Sequence, residues 1–224
     1  MTELPFKIST GLKNIIGKEL ITNDLIAIFE IVKNSYDANA KNVKIVFQNI
    51  LGETGQARIL VIDDGDGMSY EDITDKFLFV GYSEKRDFEK ELSKKNFRDK
   101  ISVKRIFAVA KGIGRFSCDR LGSKLNLYTK KSNESIVHHL FIDWNKFEED
   151  QKQEFQLVKA KYSEQTHIQL QDYEIKNFHK GTIVEINNLS DLWDNEKLLK
   201  LKRYLQRLIN PSQIIKSQEF KIEL

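Results

Sequence analysis

The sequence predicts an α+β domain, and three observations carry that expectation. Leu25, Phe29, Val32 and Tyr36 recur at helical spacing within residues 22–39, which puts an apolar stripe on one side of a long helix. The run Ile59-Leu60-Val61-Ile62, entered from Arg58, has strand length and leads straight into Asp63, the pattern of a buried strand. The second half offers strand-like stretches at 124–130, 136–143, 166–170 and 182–188. A helix striped by Leu198, Leu201, Leu205 and Leu208 then closes near Pro211.

The other elements fit around these. Residues 1–20 read as an N-terminal arm with a short helix near 9–16, and a strand is expected at 43–49 before a hairpin-like turn at 52–56. Ser69 with Asp72 has the spacing of a capped short helix. Residues 84–111 are charge-dense and irregular, which alone describes a solvated loop. Their position between two glycine motifs instead suits a mobile lid. A short helix to Leu121 should stop at Gly122. The main domain is taken as 21–210, with 211–224 as the start of a following, truncated domain, because Phe220 to Leu224 alternate like a strand with nothing closing them. No internal repeat interrupts this order.

Composition bounds the function. At 224 residues and 40% hydrophobic content, the chain can build a substantial core. Thirty-six Lys and Arg oppose 33 Asp and Glu, so global charge argues for neither nucleic acid nor a membrane surface. No apolar run approaches the roughly 18 residues of a membrane span. A single cysteine, Cys118, excludes an internal disulfide framework and suits a reducing, cytoplasmic setting. His138 and His139 are adjacent on a strand candidate and should point to opposite faces, which makes them a poor chelating pair.

The chemistry concentrates at three places. Glu30, Asn34 and Asp37 stand at i, i+4 and i+7 of the main helix and therefore share a face. A carboxylate there can activate water, and a carboxamide one turn on can hold a hard cation such as Mg²⁺. A solvated helix face would show the same triplet. Asp63-Asp64-Gly65-Asp66-Gly67-Met68 follows the buried strand, and its glycines make a tight turn that a ligand can approach. An Asp in that place is suited to accept from an exocyclic amine. Lys111-Gly112-Ile113-Gly114-Arg115-Phe116 then offers consecutive backbone N–H groups to an anion. It lacks the Gly-Lys-Ser/Thr of a Walker loop and the strand–turn–helix context of a dinucleotide fingerprint.

Taken in order, these pieces resemble the GHKL superfamily of gyrase B, heat-shock-ninety chaperones, histidine kinases and MutL-type ATPases. Gly181-Thr182 resembles its last motif. The resemblance implies a two-layer α/β sandwich, the Bergerat-type fold, with a mixed, mainly antiparallel sheet and helices on one face. It implies ATP and Mg²⁺ as ligands, Glu30 as general base, Asn34 as the metal ligand and Asp63 as the reader of the adenine amine. Gly65, Gly67, Gly112, Gly114 and Thr182 would line the nucleotide, together with Asp37, Met68, Lys111, Ile113, Arg115 and Phe116. The stretch 79–86, with Ser83 and Lys85, is similar to MORC-type ATPases. Val109 departs from the pattern, standing where many relatives have a glycine.

The function so implied is slow ATP hydrolysis that drives lid closure and homodimerisation in a larger protein whose client is open. A histidine-kinase-type catalytic domain and a non-hydrolytic, nucleotide-gated module are the alternatives. Glu30 weighs against both, since kinases usually carry Asn at that place.

Overall fold

The structure is a computed structural model, and it describes residues 8–15, 21–50, 56–79, 116–150, 153–168, 170, 173–175, 178–206 and 220–224. In chain order its elements are α1 (Leu12–Asn14), α2 (Asp24–Asp37), β1 (Asn42–Gln48), β2 (Arg58–Asp63) and α3 (Tyr70–Asp72), which runs into a π-helical turn (Ile73–Phe77). There follow α4 (Ser117–Leu121), β3 (Gly122–Lys130), β4 (Val137–Asp143), β5 (Lys161–Gln165), β6 (Gly181–Leu189), α5 (Asn195–Leu205) and β7 (Lys221–Glu223). The sheet order is β5-β4-β3-β6-β2-β1-β7. Every neighbouring pair is antiparallel except β1 and β7, which run parallel. This is the mixed, mainly antiparallel α+β sandwich that the motifs imply.

Asn23 starts α2, accepting from the Ile26 N–H through its side chain and satisfying one of the helix's orphan donors. The helix buries Ala27, Ile28, Ile31 and Val32 against Ile45, Ile59, Val61, Leu125 and Val184 of the sheet. Full burial of a side chain such as Ile28 is worth about 1.5–3 kcal/mol. The stripe expected from the sequence is rotated in the structure. Leu25, Phe29 and Tyr36 are only half-buried and lie at the helix margin; Phe29 meets Tyr204 of α5 and Tyr36 meets Phe220, each edge to face at 5.2 Å. Small side chains, Ala27 and Ser35, take the inner face because they let the helix approach the sheet closely.

Two other expectations shift. The strand expected at 166–170 forms earlier, as β5, while Ile168 and Leu170 pack with Ile62 against Tyr128, Val137 and Ile183 in a second apolar cluster. Alternation alone does not tell an edge strand from a segment lying over a sheet. Residues 221–223, read from the sequence as opening a new domain, lie on the edge of this same sheet, with Phe220 buried in its core. The capping box at Ser69 forms with both hydrogen bonds.

Charged groups fix the helices to one another. Asp24, at the start of α2, is buried against Lys197 of α5 and lies 3.1 Å from Arg120 Nε of α4. Lys13 of α1 is only 1% exposed and reaches Asp119 of α4 at 2.8 Å and Glu148 at 2.7 Å. His138 and His139 do point apart: His138 bonds Tyr162 at 2.8 Å and Glu134 at 3.2 Å, and His139 bonds Asn126 at 2.9 Å and stacks on Tyr128. Among the described residues no helix is long and apolar enough to cross a membrane.

Candidate functional site

Asp63 ends β2, the strand between β1 and β6, and is 7% exposed. Its Oδ1 accepts from Gly65 N–H at 2.9 Å and from Thr182 N–H at 3.1 Å, and its Oδ2 accepts from Ser35 Oγ at 2.8 Å. Burial drives its pKa up and outweighs the hydrogen bonds that stabilise the anion. A carboxylate has about four lone-pair sites, and these three donors leave one acceptor position on Oδ2.

The turn after Asp63 is held by α2 and β1. Asp66 N–H donates to the Ala38 carbonyl at 2.8 Å, and the Asn39 amide reaches Asp66 at 2.6 Å. Asp64 accepts from the N–H groups of Lys41 and Asn42 and from the Asn42 side chain, at 2.7, 2.9 and 2.7 Å. Burial opposes its charge, but the Asn42 and Lys41 hydrogen bonds win and its pKa is lowered. Gly67 has φ +70°, and a Cβ there would overlap the Lys130 carbonyl; Gly181, at φ +118°, would likewise overlap the Asp63 carbonyl. Both positions need glycine for backbone approach as well as for conformation.

Around this turn, Met68 N–H donates to Thr129 Oγ1 at 2.8 Å, and Thr129 Oγ1 donates to the Gly181 carbonyl at 3.0 Å. Thr182 Oγ1 lies 3.1 Å from Thr129 Oγ1. Strand register brings the three strands together here, with Thr182 opposite both Asp63 and Thr129.

On α2, Asn34 is exposed and the Glu30 side chain is 33% exposed, with Lys33 Nζ 3.5 Å from its Oε2. Asp37 is buried at the end of the helix. Phe116 sits in the core against Trp144 and Phe155, at centroid distances of 5.6 and 6.3 Å. Ser83, Lys85, Lys111, Gly112, Ile113, Gly114 and Arg115, and the lid expected at 84–111, lie outside the described residues.

The structure thus gathers Asp63, Gly65, Gly67, Met68 and Thr182 around the turn that follows β2, beside α2. Two residues there have no role in the sequence motifs. Ser35 follows Asn34 inside the helix motif, so its inward position was open to a helical-wheel reading. Thr129 carries no local signal, since only strand register brings it to the site.

Residues 22–182 match the family described as histidine kinase-, DNA gyrase B- and HSP90-like ATPase. The chain belongs to that family. Among curated relatives, the chain is 31% identical over 118 residues to "Putative type II restriction enzyme HgiDII" of Herpetosiphon aurantiacus, covering 52% of this chain and 18% of that protein. It is 30% identical over 133 residues to the DNA mismatch repair protein MutL of Clostridium botulinum (strain Eklund 17B / Type B), covering 58% of this chain and 17% of that protein. The chain therefore matches less than a fifth of the length of these relatives.

The residues present fit nucleotide and Mg²⁺. Asp63 keeps an acceptor position for an amine, and Asn34 exposes a carboxamide. Among the described residues no group of three or more His, Cys, Asp or Glu could hold a metal by itself. Mg²⁺ does not require one, because it usually keeps several waters and takes one or two protein oxygens together with substrate phosphates.

Proposed function

We propose that this domain binds Mg·ATP and hydrolyses it slowly, using nucleotide state to change the conformation of a larger protein. The observation that carries this is the state of Asp63, a buried carboxylate whose three donors are all supplied by the fold, with one acceptor position remaining. That position suits the exocyclic amine of adenine. Thr182 would border the base, and Asn34 would hold Mg²⁺ against the phosphates. The cation would neutralise charge on the phosphoryl oxygens. Glu30, half-exposed and beside Lys33, would take the proton of the attacking water. Lys111, Gly112, Gly114 and Arg115 would face the phosphates, and residues 84–111 would close over them.

Two finer assignments belong to the same proposal. Closure would favour pairing of two copies of the full-length protein, with residues 1–20 contributing. Full turnover would need a cation from a domain beyond this one to stabilise charge on the γ-phosphate. The relatives' names, a restriction enzyme and a DNA mismatch repair protein, support a DNA transaction for the whole protein.

The test is calorimetry with ATP and ADP, with and without Mg²⁺, followed by steady-state phosphate release. Micromolar, Mg²⁺-sensitive binding with slow release is expected. No binding of either nucleotide would refute the proposal, and transfer of labelled phosphate onto the protein would favour a kinase instead.

A further inference from the structure

We propose that Thr129 is a specificity-determining positioning residue. Resting on the nucleotide-binding assignment above, it fixes the hydroxyl proton of Thr182 so that the base edge of the pocket offers only acceptors. That selects a purine with a 6-amino group over one with a 6-oxo group.

Counting protons leads to this role. Thr129 is 0% exposed, and its hydroxyl has one proton and two lone pairs. The Met68 backbone N–H, 2.8 Å away, can only donate, so it occupies one lone pair. The Gly181 carbonyl, 3.0 Å away, can only accept, so it takes Thr129's single proton. The remaining contact, 3.1 Å between the hydroxyls of Thr129 and Thr182, must then use the proton of Thr182. Thr182, half-buried opposite Asp63, consequently offers a ligand only its lone pairs.

Asp63, in register beside it, is an acceptor when ionised and already takes the Thr182 N–H. Two adjacent acceptors match the two N–H donors of a 6-amino purine, directly or through a water. They oppose the lone pairs of a 6-oxo purine. Without the Thr129 hydroxyl, Thr182 could rotate its proton outward and donate to a 6-oxo group, so discrimination would weaken. None of the nucleotide motifs contains Thr129.

The experiment compares ATP with its 6-oxo analogue, inosine triphosphate, by calorimetry on the wild-type chain, Thr129→Val, Thr129→Ser and Thr182→Val. Valine keeps the branched shape of threonine and replaces its hydroxyl with a methyl group. The wild type should prefer ATP by at least about tenfold, the scale of one well-placed hydrogen bond. Thr129→Val should narrow that ratio several-fold, with the remainder owed to Asp63, and Thr129→Ser should restore it. Thr182→Val removes the same oriented hydroxyl without touching Met68 or Gly181 and should narrow the ratio as well, which keeps the test sharp if Thr129→Val folds poorly. Equal weakening of both nucleotides, with the ratio unchanged, would mean a merely structural role and would overturn the proposal. Failure of the wild type to bind either nucleotide would overturn the underlying assignment and the selectivity with it. In the ligand-free protein, the Met68 amide should exchange faster in Thr129→Val than in Thr129→Ser; equal protection would remove the proton chain on which the selectivity stands.

Discussion

Ser35 donates its hydroxyl proton to Asp63 across 28 residues of sequence, with Oγ 2.8 Å from Oδ2. The contact ties the inner face of α2 to the end of β2. It also places Asn34, the preceding residue, on the outward side of the same helix turn. The candidate amine acceptor on β2 and the candidate metal ligand on α2 are thus tied together through neighbouring residues of one helix.

Asp63→Asn should lose nucleotide affinity by about 100-fold or more, because the amide turns a donor toward the amine where an acceptor is required. The same variant should melt higher than the wild type at neutral pH. The raised pKa of Asp63 means that the folded state binds its proton more tightly than the unfolded chain does. Stability therefore falls as pH rises from the ordinary carboxylate value of 3.8 through the elevated folded value, and the penalty is complete above it. Asparagine removes that penalty while keeping an oxygen for Gly65 and Thr182. The melting difference should shrink on acidification. Calorimetric scans across pH check the sign, and a variant less stable than wild type at neutral pH would contradict it.

Glu30→Gln should keep ATP affinity and lose turnover by about 10²- to 10⁴-fold, the usual worth of a general base. Asn34→Ala should weaken Mg·ATP more than metal-free nucleotide. Binding and single-turnover rates separate the two effects. Turnover at the wild-type rate in Glu30→Gln would remove it as the base.

Lys13→Met should destabilise the fold by up to about 3–5 kcal/mol, the cost of breaking a buried ion pair by removing one member. The charge at stake is Asp119, whose side chain is 2% exposed, whereas Glu148, at 38%, can turn to water. Adding Asp119→Leu should recover most of the loss, because an apolar pair can replace a buried ionic one. Denaturant unfolding of the three proteins decides it. An unchanged midpoint in the single variant would show that the arm is held by other contacts.

Cys118 should resist alkylation in the folded protein. Burial first, and then the neighbouring Asp119 charge, push its thiol up to about 12, so at pH 8 only roughly one molecule in 10⁴ carries the thiolate. Labelling should become fast only in denaturant. Rapid stoichiometric labelling under native conditions would show that α4 opens readily.

Much of the candidate site is legible in the sequence. Glu30 and Asn34 follow from helical spacing, Asp63 from its place after an apolar run, and Gly65 and Gly67 from turn chemistry. These signals are local, each contained within a few residues. The rotation of α2 was missed because the wheel favours large side chains, whereas close packing on the sheet favoured Ala27 and Ser35. The β5 strand was displaced because alternation at 166–170 reports burial on one side without naming the surface that covers it.

By itself, then, the sequence determined the kinds of elements, the order of the motifs and the residues with chemistry to offer, because these depend on neighbours along the chain. Tertiary structure alone decided how those residues are wired. Thr129 reaches Met68 across 61 residues, and Lys13 reaches Glu148 across 135. Such pairs arise from strand register and helix docking; in a strand, a shift of one residue would turn every side chain to the opposite face.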